Sequence, residues 1–113
     1  SRADDASSKG SLVSRALNWE SDSQFWMNYQ QLKLDTCDVF IFIGVWVDRI
    51  VYWVMSRDEV ETNSYRSHQH RGGIEYQIGM RPSNIREFDI YRAEASDIIA
   101  MVKLKADDSS IHR

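Results

Sequence analysis

Apolar residues are spread unevenly along this chain, and the densest run governs how the rest is read. Residues 37–46 (Cys-Asp-Val-Phe-Ile-Phe-Ile-Gly-Val-Trp) bring β-branched and aromatic side chains together almost without interruption. Residues 50–55 (Ile-Val-Tyr-Trp-Val-Met) repeat that character after a polar break at Asp48 and Arg49. This composition predicts two strands paired as an antiparallel hairpin at the centre of a sheet, with Gly44 where the turn can begin. Apolar residues at successive positions predict burial on both faces, with flanking helical stretches as the cover.

The flanks supply candidates for that cover. Phe25, Tyr29 and Leu32 recur at i, i+4 and i+7 beside Trp26, after a capping cluster of Ser21, Asp22 and Ser23. Residues 24–33 therefore read as an amphipathic helix. Ser56 with Glu59 three residues on fits a capping box and predicts a brief helix over 57–61. Residues 62–73 are polar without periodicity and read as a long loop, a place where function often resides. Residues 74–78 alternate with period two and predict a strand with one wet face. Pro82, Ser83 and Asn84 introduce a predicted helix over about 85–92. Ser96 caps a last one over 97–105, with Asp97 at its start and Lys103 and Lys105 at its end suiting the dipole. Residues 1–10 and 107–113 read as loosely ordered polar ends. The fold class that follows is α/β (α+β): a small mixed or antiparallel sheet around a central β-hairpin with flanking helices.

Composition narrows the function classes. At 113 residues, 42% hydrophobic and 27% charged, the chain is expected to form a single globular domain. No apolar run approaches the roughly 18–20 residues of a membrane span, and the polar N-terminus carries no signal-peptide pattern. The net charge of −3 confines any nucleic-acid-binding surface to a local patch. Cys37, the lone cysteine, excludes an internal disulfide and a cysteine-rich zinc site, and reads as a small buried thiol at the start of the central strand. These features together suit a cytoplasmic protein. Ser1 in place of an initiator Met is compatible with a longer reading frame or with processing.

Candidate chemistry concentrates in residues 67–73. His68, Gln69, His70 and Arg71 precede a glycine pair, and with nearby Arg66 and Arg81 they form the one compact positive cluster of an acidic chain. Contact with phosphate or a nucleic-acid backbone is the functional reading, and a solvated loop bonded to its own carbonyls is the structural one. Glu75 and Gln77 on the following strand could support such a site. A metal at His68 and His70 would need further ligands from Glu75, Asp58 or His112, none at a recognised spacing, so no metal site is assigned. Gln31 and Lys33 have the spacing of the oxygen and ammonium groups in some metal-dependent nucleases. That arrangement requires a strand, and the helical pattern of 24–33 points the two side chains apart. The tryptophans Trp19, Trp26, Trp46 and Trp53, with Phe40 and Phe42, are expected mainly in the core, with any exposed surplus suited to a homodimer interface.

Residues 25–33, 37–45 and 51–56, followed by the 68–73 loop and Ile74-Glu75-Tyr76, give the chain a further likeness. In order and texture they resemble the C-terminal half of restriction-endonuclease-like nucleases of the PD-(D/E)XK superfamily, over about residues 19–80. The resemblance implies a DNA-acting domain, with backbone contact by the loop at His68–Arg71. In an intact member it also implies Mg²⁺-dependent phosphodiester hydrolysis. The family's metal-binding Asp and its Glu-x-Lys strand belong upstream of residue 24, where this chain is too short to supply them. The resemblance therefore implies a fragment, or a descendant lacking the usual catalytic centre. The expected partner is DNA. The alternative, from a different class, is a non-catalytic dimeric interaction or small-ligand module.

Overall fold

A computed structural model describes residues 3, 17–21, 23–70 and 74–111. Among them the chain runs through strands β1 (Met27–Leu32), β2 (Val39–Val45) and β3 (Ile50–Ser56), then helix α1 (Arg57–Thr62). Strands β4 (Arg66–His70) and β5 (Ile74–Met80), a 3₁₀ helix (Ile85–Tyr91), strand β6 (Arg92–Ala93), a 3₁₀ turn (Ala95–Asp97) and helix α2 (Ile98–Ile111) complete it. The architecture is α+β, with two three-stranded antiparallel sheets ordered β2-β3-β6 and β1-β5-β4. No helix of the described residues is long and apolar enough to cross a membrane.

The central hairpin forms as its composition dictates, in unbroken register from Val39 opposite Ser56 to Val45 opposite Ile50. Gly44, however, lies inside β2 opposite Val51, and the turn closes two residues later, where the Trp46 N–H donates to the Arg49 carbonyl at 2.7 Å. Glycine is needed at 44 for space. A Cβ there would stand 2.7 Å from Cζ3 of Trp46 and 2.9 Å from Cζ3 of Trp53. Burial on both faces holds for β3 alone. Val51, Trp53 and Met55 face the core, while Val54 is buried on the opposite face, where α2 packs. On β2 the residues alternate, so Phe42 is buried while Ile41 and Ile43 are 44% and 41% exposed.

The two sheets share one core. Met27, Ile78 and Met80 meet Phe42, Val51, Trp53 and Met55, and Val60, Ile85 and Phe88 close the ends. Tyr29 links the sheets. Its ring meets Phe42 edge-on at 5.1 Å, and its hydroxyl donates to the Ile43 carbonyl at 2.9 Å. Burial pushes the pKa of its phenol well above the ordinary tyrosine value.

The expected helix over 24–33 is instead β1, paired with β5, and the error has a physical origin. Met27 pairs with Met80 and Tyr29 with Ile78, but Leu32 pairs with Tyr76, so the register slips between Tyr29 and Leu32. Three residues of β1 there span two of β5, as in a β-bulge. The core-facing set is 25, 27, 29, then 32 and 34, a period of two with one residue inserted. Sampled at its largest side chains, that series imitates helical spacing. Ser21 caps no helix; its Oγ accepts the Ser23 N–H at 3.1 Å, and Asp22 lies outside the described residues. The brief helix after β3 is present with both capping-box bonds. Ser56 Oγ accepts the Glu59 N–H at 3.2 Å, and Glu59 Oε1 accepts the Ser56 N–H at 2.9 Å. Lys105 of α2 binds the same carboxylate at 2.6 and 2.8 Å, tying α2 to α1.

Three smaller expectations are also corrected. The 85–92 segment is a 3₁₀ helix followed by the short β6. Asn84 leads into it, buried, its Oδ1 accepting the Arg81 N–H at 2.8 Å and its Nδ2 donating to the Gly79 carbonyl at 3.0 Å. α2 continues to Ile111, through residues expected to be loose. Cys37 is exposed, because β2 begins only at Val39.

Candidate nucleic-acid interface

The long polar loop expected over 62–73 contains a strand, β4. β4 pairs with β5 from Arg66 opposite Ile78 to His70 opposite Ile74, at the edge of its sheet. Apolar residues do not mark β4 because both of its faces are wet: Arg66, Ser67 and His68 are all exposed. Arg71, Gly72 and Gly73 lie outside the described residues, as do the side chains of Gln69, His70 and Gln31.

Register decides which of the sequence candidates share a face. Arg66 and His68 lie opposite Ile78 and Tyr76, so they share one face of the hairpin with them. The Arg66 guanidinium carbon is 5.8 Å from the Tyr76 ring centroid, and the His68 ring is 5.9 Å from the same ring. Arg66 Nε also donates to the Glu61 carbonyl, which fixes the stem of the side chain. Tyr76 is thus a shared platform for an arginine and a histidine that stay open to solvent. Sequence reasoning missed Tyr76. The glycine pair at 72 and 73 was the available signal, since Gly-Gly between two extended runs marks a hairpin, and the register that pairs His70 with Ile74 sets His68 opposite Tyr76.

Glu75 and Gln77 do not join that face. They alternate with Tyr76 and Ile78, and Gln77 is engaged on the other side, where its Oε1 accepts from Asn28 Nδ2 at 3.2 Å. Gln31 lies at the β1 bulge, and Lys33, exposed, follows the strand. The segment is thus extended, as a nuclease-type pair would require. Arg81 is separate from the hairpin cluster, over the Trp26 ring at 5.3 Å.

Beside Tyr76 a cleft of about 410 Å³ is lined by Leu34, Asp35, Arg57, Glu61 and Tyr76. Its arginine is already paired, Arg57 Nη2 with Asp38 Oδ1 at 2.9 Å, and the same group donates to the Cys37 carbonyl at 3.2 Å. With Asp35 and Glu61 in its wall, the cleft itself does not favour an anion. The positive groups sit along the strand edge above it.

The metal that the resemblance implies does not fit these residues. Glu75 and His68 are on opposite faces of the hairpin, His112 lies outside the described residues, and no three His, Cys, Asp or Glu side chains gather among those described. Comparison with protein-family models, with curated proteins and with solved structures finds no match to this chain.

Proposed function

We propose that this protein is a DNA-backbone-contacting module whose contact element is the β4–β5 hairpin. The observation that carries the reading is the pairing of exposed Arg66 and His68 on one Tyr76 ring. A guanidinium over an aromatic ring keeps N–H donors for phosphate oxygens, for Arg66 those of its Nη groups since Nε is hydrogen-bonded to the Glu61 carbonyl, and holding it there lowers the entropy lost on binding. His70 and Arg71 follow in the sequence and extend the same run of donors. Catalysis is not part of the proposal.

Fluorescence anisotropy with a labelled DNA duplex, repeated across a salt series, tests it. Affinity should fall steeply with salt, with a log–log slope of about −0.9 per phosphate contacted. Arg66→Gln should weaken binding and flatten that slope by about one contact. Salt-independent binding, no binding, or an unchanged slope in the variant would each overturn it.

A second reading, a homodimer, rests on the face of the β2–β3 hairpin that carries Val54 and that α2 covers only in part. There Ile41, Ile43 and Ile50 share one side of the sheet and are 44%, 41% and 52% exposed. Sedimentation of the same samples separates the two. A monomer that binds DNA supports the first, and a salt-insensitive dimer without DNA affinity supports the second.

A further inference from the structure

Three arginines from three separate elements converge on a single indole. Arg49 comes from the β2–β3 turn, Arg86 from the 3₁₀ helix and Arg92 from β6. Their guanidinium carbons lie 5.5, 5.2 and 5.0 Å from the Trp19 ring centroid. Trp19 is itself held in place. Trp46 packs edge-on against it at 4.6 Å, and its backbone N–H donates to Asp48 Oδ1 at 2.9 Å.

Cation–π contact favours each arginine singly, but three like charges around one ring repel each other. The ion pairs of the described residues lie elsewhere, between Arg57 and Asp38 and between Lys105 and Glu59. Among those residues, none of the three arginines has a carboxylate within salt-bridge distance. Cation–π attraction engages the charge of a guanidinium without consuming an N–H donor, so these groups keep donors that can receive phosphate oxygens.

A cleft of about 290 Å³ opens beside this cluster, lined by Arg49, Ile50, Val51, Arg92, Ala93 and Glu94. Its volume is at the small end for ligand sites, which run from about 300 to 1,000 Å³. Two arginines and one glutamate are among the residues that line it. Glu94 disfavours a polyanion and accepts from a hydroxyl or amine. The geometry points to a binding site for a small phosphorylated molecule bearing a hydroxyl or amine, such as a sugar monophosphate. Arg49 and Arg92 hold the phosphate, Arg86 adds charge behind them, and Glu94 accepts the hydroxyl. The site shares no residue with the β4–β5 hairpin, so it stands or falls apart from the DNA reading.

Calorimetric titration of the full chain with ribose 5-phosphate, with inorganic phosphate and with a short DNA duplex tests it. Ribose 5-phosphate should bind saturably, with a Kd below about 1 mM and tighter than inorganic phosphate. Arg49→Gln should weaken it about tenfold by removing a charge-assisted bond, and Arg86→Gln less, by removing charge alone. Arg81→Gln, over a different tryptophan, should leave it unchanged. Arg49 and Arg86 are exposed, so both variants should keep the parent melting temperature. Absence of saturable binding, or binding indifferent to Arg49→Gln, would overturn the assignment. So would duplex DNA being the only probe whose binding depends on Arg49 and Arg86, which would make the cluster a backbone contact.

Discussion

Gly44→Ala tests the packing at the centre of the fold, and its sign depends on which neighbours can yield. In a strand, alanine is favoured over glycine by roughly 0.5–1 kcal/mol through the unfolded chain alone. Against this, the new methyl would stand 2.7 Å from Trp46 Cζ3, 2.9 Å from Trp53 Cζ3 and 3.0 Å from Trp53 Cη2. Both indoles are enclosed, Trp46 4% and Trp53 0% exposed, so relief requires movement of the sheet or of the core. Overpacking of this kind costs about 1–3 kcal/mol, and the net expectation is a loss of about 1–2 kcal/mol. For a chain of this size that lowers the melting temperature by roughly 4–8 °C. Gly79→Ala provides the contrast. There the methyl meets Trp26, but that side chain is 51% exposed and can swing into solvent, so the variant should lie within about 0.5 kcal/mol of the parent. Urea unfolding of both, followed by tryptophan fluorescence, measures the difference. A Gly44→Ala protein as stable as the parent, or one less damaged than Gly79→Ala, would refute the account of the two indoles.

Ser56→Ala should cost about 1 kcal/mol by removing the cap on α1, and Glu59→Ala about 2 kcal/mol, because it also strands the Ser56 N–H and Lys105. Equal losses in urea would mean that the Lys105 pair contributes nothing. Because burial raises the Tyr29 pKa, the unfolded chain ionises first. Stability is then unaffected below a pH of about 10 and falls above it, by at most about 1.4 kcal/mol per pH unit from this group. Tyr29→Phe should cost about 1 kcal/mol at neutral pH through the lost bond to Ile43, and should flatten the alkaline fall. Parallel curves above pH 10 would refute the assignment to Tyr29.

What could be read from the sequence was whatever is decided within a few residues. The hairpin, the Ser56–Glu59 capping box and the alternation of β5 each rest on neighbours in the chain. β1 was misread because an inserted residue turned its period of two into a false period of 3.6, and only its pairing with β5 exposes the bulge. β4 escaped because a polar edge strand carries no apolar signal, and the glycines at 72 and 73 were the mark of a hairpin in the sequence. Once it is seen as a strand, His68 acquires Tyr76 as a partner, and Glu75, adjacent in sequence to that partner, is turned away from it.

The arginine cluster was illegible for a stronger reason. Its members lie at positions 19, 49, 86 and 92, and no spacing along the chain relates them. The core is what brings them together. The missing side chain at Gly44 lets Trp46 sit 6.2 Å from Trp53, and Trp46 then presents its edge to Trp19. The indole that gathers the arginines is therefore supported by the same close approach that Gly44→Ala would disturb. A substitution distant from any charge should then loosen the cluster as well as the core, and ligand affinity at Arg49 and Arg92 should fall with stability. An Arg49→Gln change acts only at the surface, and should lower affinity while stability stays where it is.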